Sequence, residues 1–167
     1  MKIKISNLSP GIHELSYDGE VKEIGLGEPF KGFYLLNIKI DKASHQVVLY
    51  ADIELTAHFC CDRCAAEFDS NIKTGFEMVY IFESPPDYYD DTTVQYIPLE
   101  TDKIDISKEI YDYTYLSIPM RILCKEDCKG LCLKCGTDLN ENSCSCENEE
   151  VDPRWLPLMK LKKDSDN

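Results

Sequence analysis

Eight of the nine cysteines of this chain fall in closely spaced pairs, a pattern typical of metal ligands. Six of them lie between Cys124 and Cys146, and one earlier pair, Cys61 and Cys64, lies well upstream. Cysteines two or three residues apart can bring two thiolates to one ion from a single tight turn. Two such pairs complete a tetrahedral four-thiolate zinc site. The spacing therefore predicts zinc binding.

The eight cysteines divide into two candidate sites by their separation along the chain. Four are near neighbours and can close one local site at little cost in loop entropy: Cys132, Cys135, Cys144 and Cys146. The other four would tie the middle of the chain to its end: Cys61, Cys64, Cys124 and Cys128. We therefore expect two zinc ions. Each would be structural, because four protein ligands leave no open position for water or substrate.

Three further residues, Gly136, Cys60 and His58, lie near the paired cysteines in the sequence. Gly136, which follows Cys135, can adopt a positive φ that turns backbone N–H groups toward the sulfur atoms, as in a zinc knuckle. Cys60 points away from Cys61 if the segment is a strand, and we expect it to be a small buried apolar side chain. A site of three cysteines and His58 is conceivable, but enough cysteines are present without it.

Two other uses of the cysteines remain as alternatives. The first is a disulfide framework. The residues from Met1 to Ser6 alternate charged and apolar side chains like a strand and unlike a signal peptide, so we expect a cytoplasmic protein with reduced thiols. The second is a redox-active C-x-x-C pair. Arg63 would favour a thiolate at its neighbours, but no strand–motif–helix pattern surrounds the pair.

The elements that would position these cysteines are mainly strands. Alternating apolar residues predict strands over residues 2–6, 33–40, 46–59 and 70–82. In the longest of them, one set of residues shares the inward face: Val47, Leu49, Ala51, Ile53, Leu55 and Ala57. The sequence C-D-R-C follows this strand directly and precedes the return strand. We therefore expect Cys61 and Cys64 at the tip of a β-hairpin.

One helix is predicted over residues 105–117, with Asp105 or Ser107 as its cap and Pro119 beyond its end. Its apolar stripe comprises Ile106, Ile110, Tyr113 and Leu116. A second, short helix is predicted near the C-terminus, beginning with Asp152 and Pro153. Residues 84–101, with two adjacent prolines and several acidic residues and tyrosines, are predicted to be an exposed loop, either simply solvated or an acidic surface for a basic partner.

Together these elements predict an α+β fold: a mainly antiparallel β-sheet with one packed helix, a Cys-rich zinc-knuckle segment and a short C-terminal helix. The expected division is residues 1–123 for the sheet core with helix 105–118, residues 124–148 for the Cys-rich segment, and residues 149–167 for the C-terminal helix and tail. A chain of 167 residues can bury one core with a small appended module.

The charge of the chain limits its partners. The formal net charge is −13, and two four-thiolate zinc sites would take it to about −17. Such a chain is not steered onto bare phosphate by its overall field, so contact with RNA needs a local basic patch. A basic protein partner fits the field better. The longest apolar runs are too short to span a membrane.

Motifs that would indicate an enzyme are missing from the sequence. It has no phosphate-cradling glycine loop and no nucleophile elbow. The three histidines, His13, His45 and His58, have no matched catalytic partner in the pattern. We therefore expect a protein without catalytic activity or a small-molecule substrate.

The order of these motifs resembles that of the YceD family, the bacterial and plastid large ribosomal RNA subunit accumulation proteins. The likeness rests on C-D-R-C, a helix ending at proline, the run C-x3-C-K-G-L-C-x2-C-G-T-D-L-N-x3-C-x-C, and D-P-R with a leucine-bearing segment. It covers roughly residues 30–162 and is strongest from Cys124 to Leu161. It implies a role in ribosome assembly, with both groups of cysteines carried over. Some members of the family lack the second group, which suits two separable sites.

Two functions follow as hypotheses. The first is a zinc-stabilised assembly factor that contacts ribosomal RNA or a basic ribosomal or assembly protein. Lys125, Lys129, Lys134 and Arg63 lie between or beside the ligands, where they would either form a local basic patch or only neutralise the thiolates. The second is a thiol-redox or zinc-responsive regulatory protein, which needs reactive thiolates and reversible loss of metal.

Overall fold

The computed structural model describes residues 1–83, 91–146 and Arg154. In this part of the chain, seven strands and one α-helix are present. The strands are β1 (Lys2–Lys4), β2 (Gly11–Glu20), β3 (Phe30–Lys42), β4 (Gln46–Cys60), β5 (Glu67–Ile81), β6 (Val94–Tyr96) and β7 (Lys103–Asp105). The helix is α1 (Ser107–Leu116), and a short 3-10 helix, Val21–Ile24, follows β2.

Five strands form one sheet in the order β2-β3-β4-β5-β6. Neighbouring strands are antiparallel except for β6, which runs parallel to β5. The long hairpin of β4 and β5 is continuous from Gln46 opposite Ile81 to Cys60 opposite Glu67. The strands β1 and β7 form a separate antiparallel pair. The sheet is thus mainly antiparallel, as predicted.

The core lies on one face of the large sheet. All six residues predicted to face inward from β4 are buried, because successive side chains of a strand alternate between faces. Helix α1 and the pair β1–β7 cover this face, and Ile3, Ile104 and Ile110 belong to the same buried cluster. Tyr113 of α1 stacks on Phe76 of β5, with 5.1 Å between the ring centroids. We call the other face of β2–β5 the outer face.

The predicted strands are present with shifted ends, but three strands were missed. Strand β2 lies at the edge of the sheet, and its alternate residues Leu15 and Tyr17 are only half-buried, so its sequence has a weak apolar pattern. Strands β6 and β7 are three residues each, and their strand conformation depends on pairing with β5 and β1. Residues 94–96, predicted as loop, are therefore strand.

The predicted helix is present, with two corrections at its ends. The residue in the N-cap position is Ile106, and Asp105 lies one residue earlier, where its carboxylate accepts hydrogen bonds from the N–H and hydroxyl of Ser107 at 3.1 and 2.6 Å. Leu116, assigned to the packed stripe, is 78% exposed. The helix ends at this residue, beyond the part that rests on the sheet.

The prediction for Cys60 was half right. The side chain points away from Cys61, as expected, but it is exposed and not buried. The reason is the one-sided core: the direction opposite to Cys61 is the outer face, where neighbouring side chains such as His58 are exposed as well.

The predicted C-terminal helix lies outside the described residues, apart from Arg154. The three-part division of the chain also stays a prediction. Among the described residues, no helix is both long and apolar enough to cross a membrane.

Candidate metal centre

The tip of the β4–β5 hairpin presents the first pair of cysteines. The chain turns tightly there: Cys61 accepts a hydrogen bond from the N–H of Ala65 and donates its own N–H to Ala66, both at 2.9 Å. Ala65 has a φ of 56°, in the left-handed region that reverses the chain direction. The turn directs the side chains of Cys61 and Cys64 to the same buried side.

The segment that follows helix α1 docks onto this tip through the backbone. Asp62 donates its N–H to the carbonyl of Ile122 at 2.8 Å, and its carboxylate accepts the N–H of Ile122 at 2.7 Å. Farther along, the N–H of Leu131 donates to the carbonyl of Arg63 at 3.0 Å. The guanidinium of Arg63 donates to the carbonyl of Cys128. These contacts bring the second pair of cysteines to the first.

The first group of four therefore consists of Cys61, Cys64, Cys124 and Cys128. The sulfur atoms of Cys61 and Cys128 are 3.8 Å apart, and those of Cys64 and Cys124 are 3.6 Å apart. Four sulfurs at about 2.3 Å from a tetrahedral zinc ion lie about 3.8 Å from one another. A disulfide bond is much shorter, about 2.05 Å. The spacing fits a metal ion and not a pair of disulfides.

The second group of four is built within one short segment: Cys132, Cys135, Cys144 and Cys146. The N–H of Gly136 donates to the carbonyl of Cys132 at 2.9 Å, and the N–H of Cys132 donates to the carbonyl of Thr137 at 2.8 Å. Gly136 has a φ of 73°, as its position after Cys135 predicted. In both groups the four sulfurs lie within 4.8 Å of one another.

The two groups differ in exposure. Three members of the first group are buried and Cys124 is half-buried. In the second group Cys135 and Cys146 are exposed and the other two are half-buried. An ion held by the second group would therefore be more accessible to solvent, chelators and oxidants.

Asn140 connects the two groups. Its Nδ2 donates to Sγ of Cys128, in the first group, at 3.4 Å. Its Oδ1 accepts the N–H of Lys129 at 2.8 Å, and its Nδ2 also donates to Asp138 at 2.7 Å. Asn140 itself lies in the loop between the two pairs of the second group. A hydrogen bond to a ligand sulfur stabilises the thiolate form, so the loop of one site supports the other.

The cysteines of the first group differ in the direction of their pKa shifts. Burial alone would raise the pKa of Cys61, but hydrogen bonds from the backbone N–H groups of Cys124, Cys64 and Arg63 lower it to about 6. Burial and the neighbouring sulfurs raise the pKa of Cys124 to about 12.

In the second group the pKa is lowered at two cysteines, Cys132 and Cys135; at Cys132 the main cause is a hydrogen bond from the backbone N–H of Cys135. The hydroxyl and N–H of Thr137 lower the pKa of Cys135 to about 6. The neighbouring sulfur of Cys135, together with burial, raises the pKa of Cys146 to about 12. Several thiolates this close repel one another, and a bound dication removes that cost. Both sites therefore suit a divalent ion that prefers sulfur, such as zinc.

The structure brings all eight cysteines together in the two groups that the spacing predicted. That they ligate a metal stays a prediction. His58 belongs to neither group, because its Nδ1 lies 2.7 Å from the carboxylate of Asp69 on the outer face. The sequence did not predict that Asp62 docks the second pair of cysteines or that Asn140 contacts Cys128. Asn140 does lie in the D-L-N run, which is part of the motif shared with the YceD family.

Gly130 is a position where the docking leaves no room for a side chain. Its φ is 79°, and a Cβ atom there would lie 2.9 Å from the carbonyl oxygen of Arg63. We expect Gly130→Ala to destabilise the metal-loaded protein by about 1–3 kcal/mol, since strain at positive φ adds to this clash. Denaturant unfolding of the loaded protein measures the change.

Gly136→Ala is the matched control for that substitution. Its φ is equally positive, at 73°, but no atom of residues 1–83 or 91–146 lies within 4 Å of the added Cβ. It should therefore cost less than Gly130→Ala. Equal losses in the two variants would mean that the contact with Arg63 is unimportant.

The part of the chain that contains the cysteines is similar to known proteins. The family model described as "Large ribosomal RNA subunit accumulation protein YceD" matches residues 49–162, which include the hairpin tip and both groups of cysteines. The chain resembles a protein of Arabidopsis thaliana, named large ribosomal RNA subunit accumulation protein YCED homolog 1, chloroplastic. The two are 44% identical over 68 residues, which is 41% of this chain and 21% of that protein.

More extensive matches are to bacterial proteins without a descriptive name. An uncharacterized protein of Mycobacterium tuberculosis is 27% identical over 130 residues, covering 75% of this chain and 60% of that protein. One from Bacillus subtilis is 32% identical over 107 residues, covering 64% of this chain and 60% of that protein. The chain thus spans less than two thirds of these curated relatives. No solved structure matches the chain significantly.

Proposed function

Because the chain belongs to the YceD family of large ribosomal RNA subunit accumulation proteins, we propose that it is a non-enzymatic, zinc-stabilised factor in ribosome biogenesis that supports accumulation of the large-subunit ribosomal RNA. The proposal places it where ribosomes are assembled, in the cytoplasm. Its direct partner would be ribosomal RNA or a basic ribosomal or assembly protein.

The observation that carries the proposal is the convergence of two groups of four sulfurs at spacings that suit a tetrahedral ion. The ligands would be Cys61, Cys64, Cys124 and Cys128 in the first site, and Cys132, Cys135, Cys144 and Cys146 in the second. Zinc bound by four thiolates has no open coordination position, so it would act by holding the fold and not by activating a substrate.

The first site has the greater structural effect in this proposal, because it joins a hairpin tip to a segment about sixty residues later in the chain. The second site would shape the local loop that carries Asn140. A metal-held surface near the hairpin tip would then be available to the assembling particle.

The test of the proposal uses cells that lack the protein, complemented with wild type or with Cys61→Ser/Cys64→Ser. We expect the double variant to fail to restore the ratio of large- to small-subunit ribosomal RNA. Cys60→Ser is the matched control, because Cys60 belongs to neither group and is exposed. Full restoration by the double variant, at equal protein level, would contradict the proposal.

One observation favours a second candidate function, a zinc-responsive or thiol-redox regulator. The second group is more exposed than the first, with Cys135 and Cys146 open to solvent, so an oxidant can reach its sulfur atoms. Mild peroxide should then release zinc from the second site before the first. Unchanged zinc content after peroxide treatment would rule this candidate out.

A further inference from the structure

The outer face of the sheet consists of regular rows of side chains that cross strands β2 to β5. The register places them in order from β2 to β5. One row is Asp18, Leu35, Glu54 and Lys73; the next is Ser16, Asn37, Asp52 and Gly75; the third is Glu14, Lys39, Tyr50 and Glu77. These side chains are exposed, except for the half-buried Glu54.

The side chains of the middle row are smaller than those of the rows on either side, and we call this row, bordered by its two neighbours, the groove. Its residues are small, and Gly75 has no side chain at all. A Cβ at Gly75 would lie 2.7 Å from Oδ1 of Asp52 and 2.9 Å from the carbonyl of Ala51, so the position has no room for one. At the β2–β4 end of the row, Ser16, Asn37 and Asp52 line a depression of about 400 Å³.

The groove is strongly acidic. The three rows and the adjoining positions of the same face carry seven carboxylates and three lysines, Lys31, Lys39 and Lys73, of which Lys31 is paired with Asp69 at 2.6 Å. The carboxylates are Glu14, Asp18, Glu20, Asp41, Asp52, Glu54 and Glu77. Lys73 is already engaged by Glu54 at 2.6 Å. The charge of Glu77 raises the pKa of Tyr50, which shows the negative field at the groove wall.

Apolar side chains border the same groove. Leu35 and Tyr50, one on each side of the middle row, are both 41% exposed, and Phe33 at the end of β3 is 72% exposed. Exposed apolar groups among charges of one sign are typical of a surface that binds a partner of the opposite sign.

We propose that this groove binds an extended, arginine- and lysine-bearing segment of a basic protein. Neighbouring strands are about 4.8 Å apart, so the groove crosses about 14 Å, the length of four or five extended residues. Cationic side chains of the segment would pair with the carboxylates, and its apolar groups would contact Leu35 and Tyr50. The inference rests on the proposed function, which names RNA or a basic protein as the direct partner. Of these two, the inference selects the basic protein.

The test measures binding of a short synthetic peptide in which arginine alternates with valine, by fluorescence anisotropy on the zinc-loaded full chain. We expect Asp18→Asn/Asp52→Asn/Glu77→Gln to weaken binding at least about tenfold. The matched control is Glu23→Gln/Glu83→Gln/Glu100→Gln, which changes the net charge equally at exposed positions off this face. The control should bind like wild type apart from a small loss due to the overall field.

A second pair of variants tests the contribution of apolar contacts to binding separately from that of the charges. Leu35→Thr should weaken binding several-fold, whereas Leu99→Thr, 72% exposed and off the face, should not. Circular dichroism and zinc content identical to wild type would show that each variant is folded. Loss of binding only in the face variants supports the inference.

Four results would overturn it. One is equal binding by the two triple variants, and another is no binding of the peptide at all. A third is binding of an RNA oligonucleotide in place of the peptide at this face. A fourth is self-association of the chain that the face variants abolish, which would assign the groove to a second copy. Because zinc content is unaffected in each case, failure here leaves the proposed function to be decided by the ribosomal RNA ratio.

Discussion

Replacing Cys61 and Cys64 by serine is expected to release the Cys-rich segment from the hairpin while the sheet stays folded. The hydrogen bonds that dock the segment are few, and each contributes only about 0.5–1.5 kcal/mol. Zinc binding in small modules supplies about 10–16 kcal/mol, so the metal should decide the outcome.

Hydrogen exchange measures this effect residue by residue. We expect protection to be lost at the hairpin tip and in the segment from Ile122 to Leu131, whereas the second group should keep its own ion and its local order. Protection in the centres of β3, β4 and β5 should persist, because the buried cluster of the sheet contains neither Cys61 nor Cys64. Cys60→Ser is again the control. Unchanged exchange at the tip and in the segment would contradict a structural metal at the first site.

Replacing Cys132 and Cys135 by serine should have a large but local effect. The four ligands of the second group lie within one segment, so their loss is expected to disorder only residues 130–146. Zinc content should fall from two ions per chain to one. The first site should keep its ion with somewhat lower affinity, because Asn140 would no longer be held near the sulfur of Cys128.

The same sample distinguishes this result from its alternatives. Native mass spectrometry reports the number of zinc ions, and hydrogen exchange reports the extent of the disordered segment. Loss of both ions would mean that the two sites form one cooperative unit. An unchanged count of two would show that Cys132 and Cys135 are not ligands.

The sequence predicted the hairpin and the cysteine groups well because both depend on local rules. Strand β4 buries one face only, so alternation identified every inward residue from Val47 to Ala57. The cysteine pairs are closely spaced, and loop entropy favours the local pairing of the second group. The four remaining paired cysteines, Cys61, Cys64, Cys124 and Cys128, are the members of the first group.

The features that were missed depend on neighbours distant in sequence. Strand β2 is an edge strand with little apolar contrast, and the three residues of β6 become a strand only beside β5. Whether Cys60 and Leu116 are buried depends on which surfaces are covered by a second layer of the fold, and no element of the described part of the chain covers either residue. Asn140 and Gly130 derive their roles from contacts with Cys128 and Arg63, which no spacing rule describes.

The most direct test of the account is the metal content of the purified chain, prepared under reducing conditions. Elemental analysis combined with native mass spectrometry should find two zinc ions per folded chain, and a strong chelator should remove them together with the order of residues 122–146. A chain that is free of metal and yet fully ordered in that segment would contradict the account.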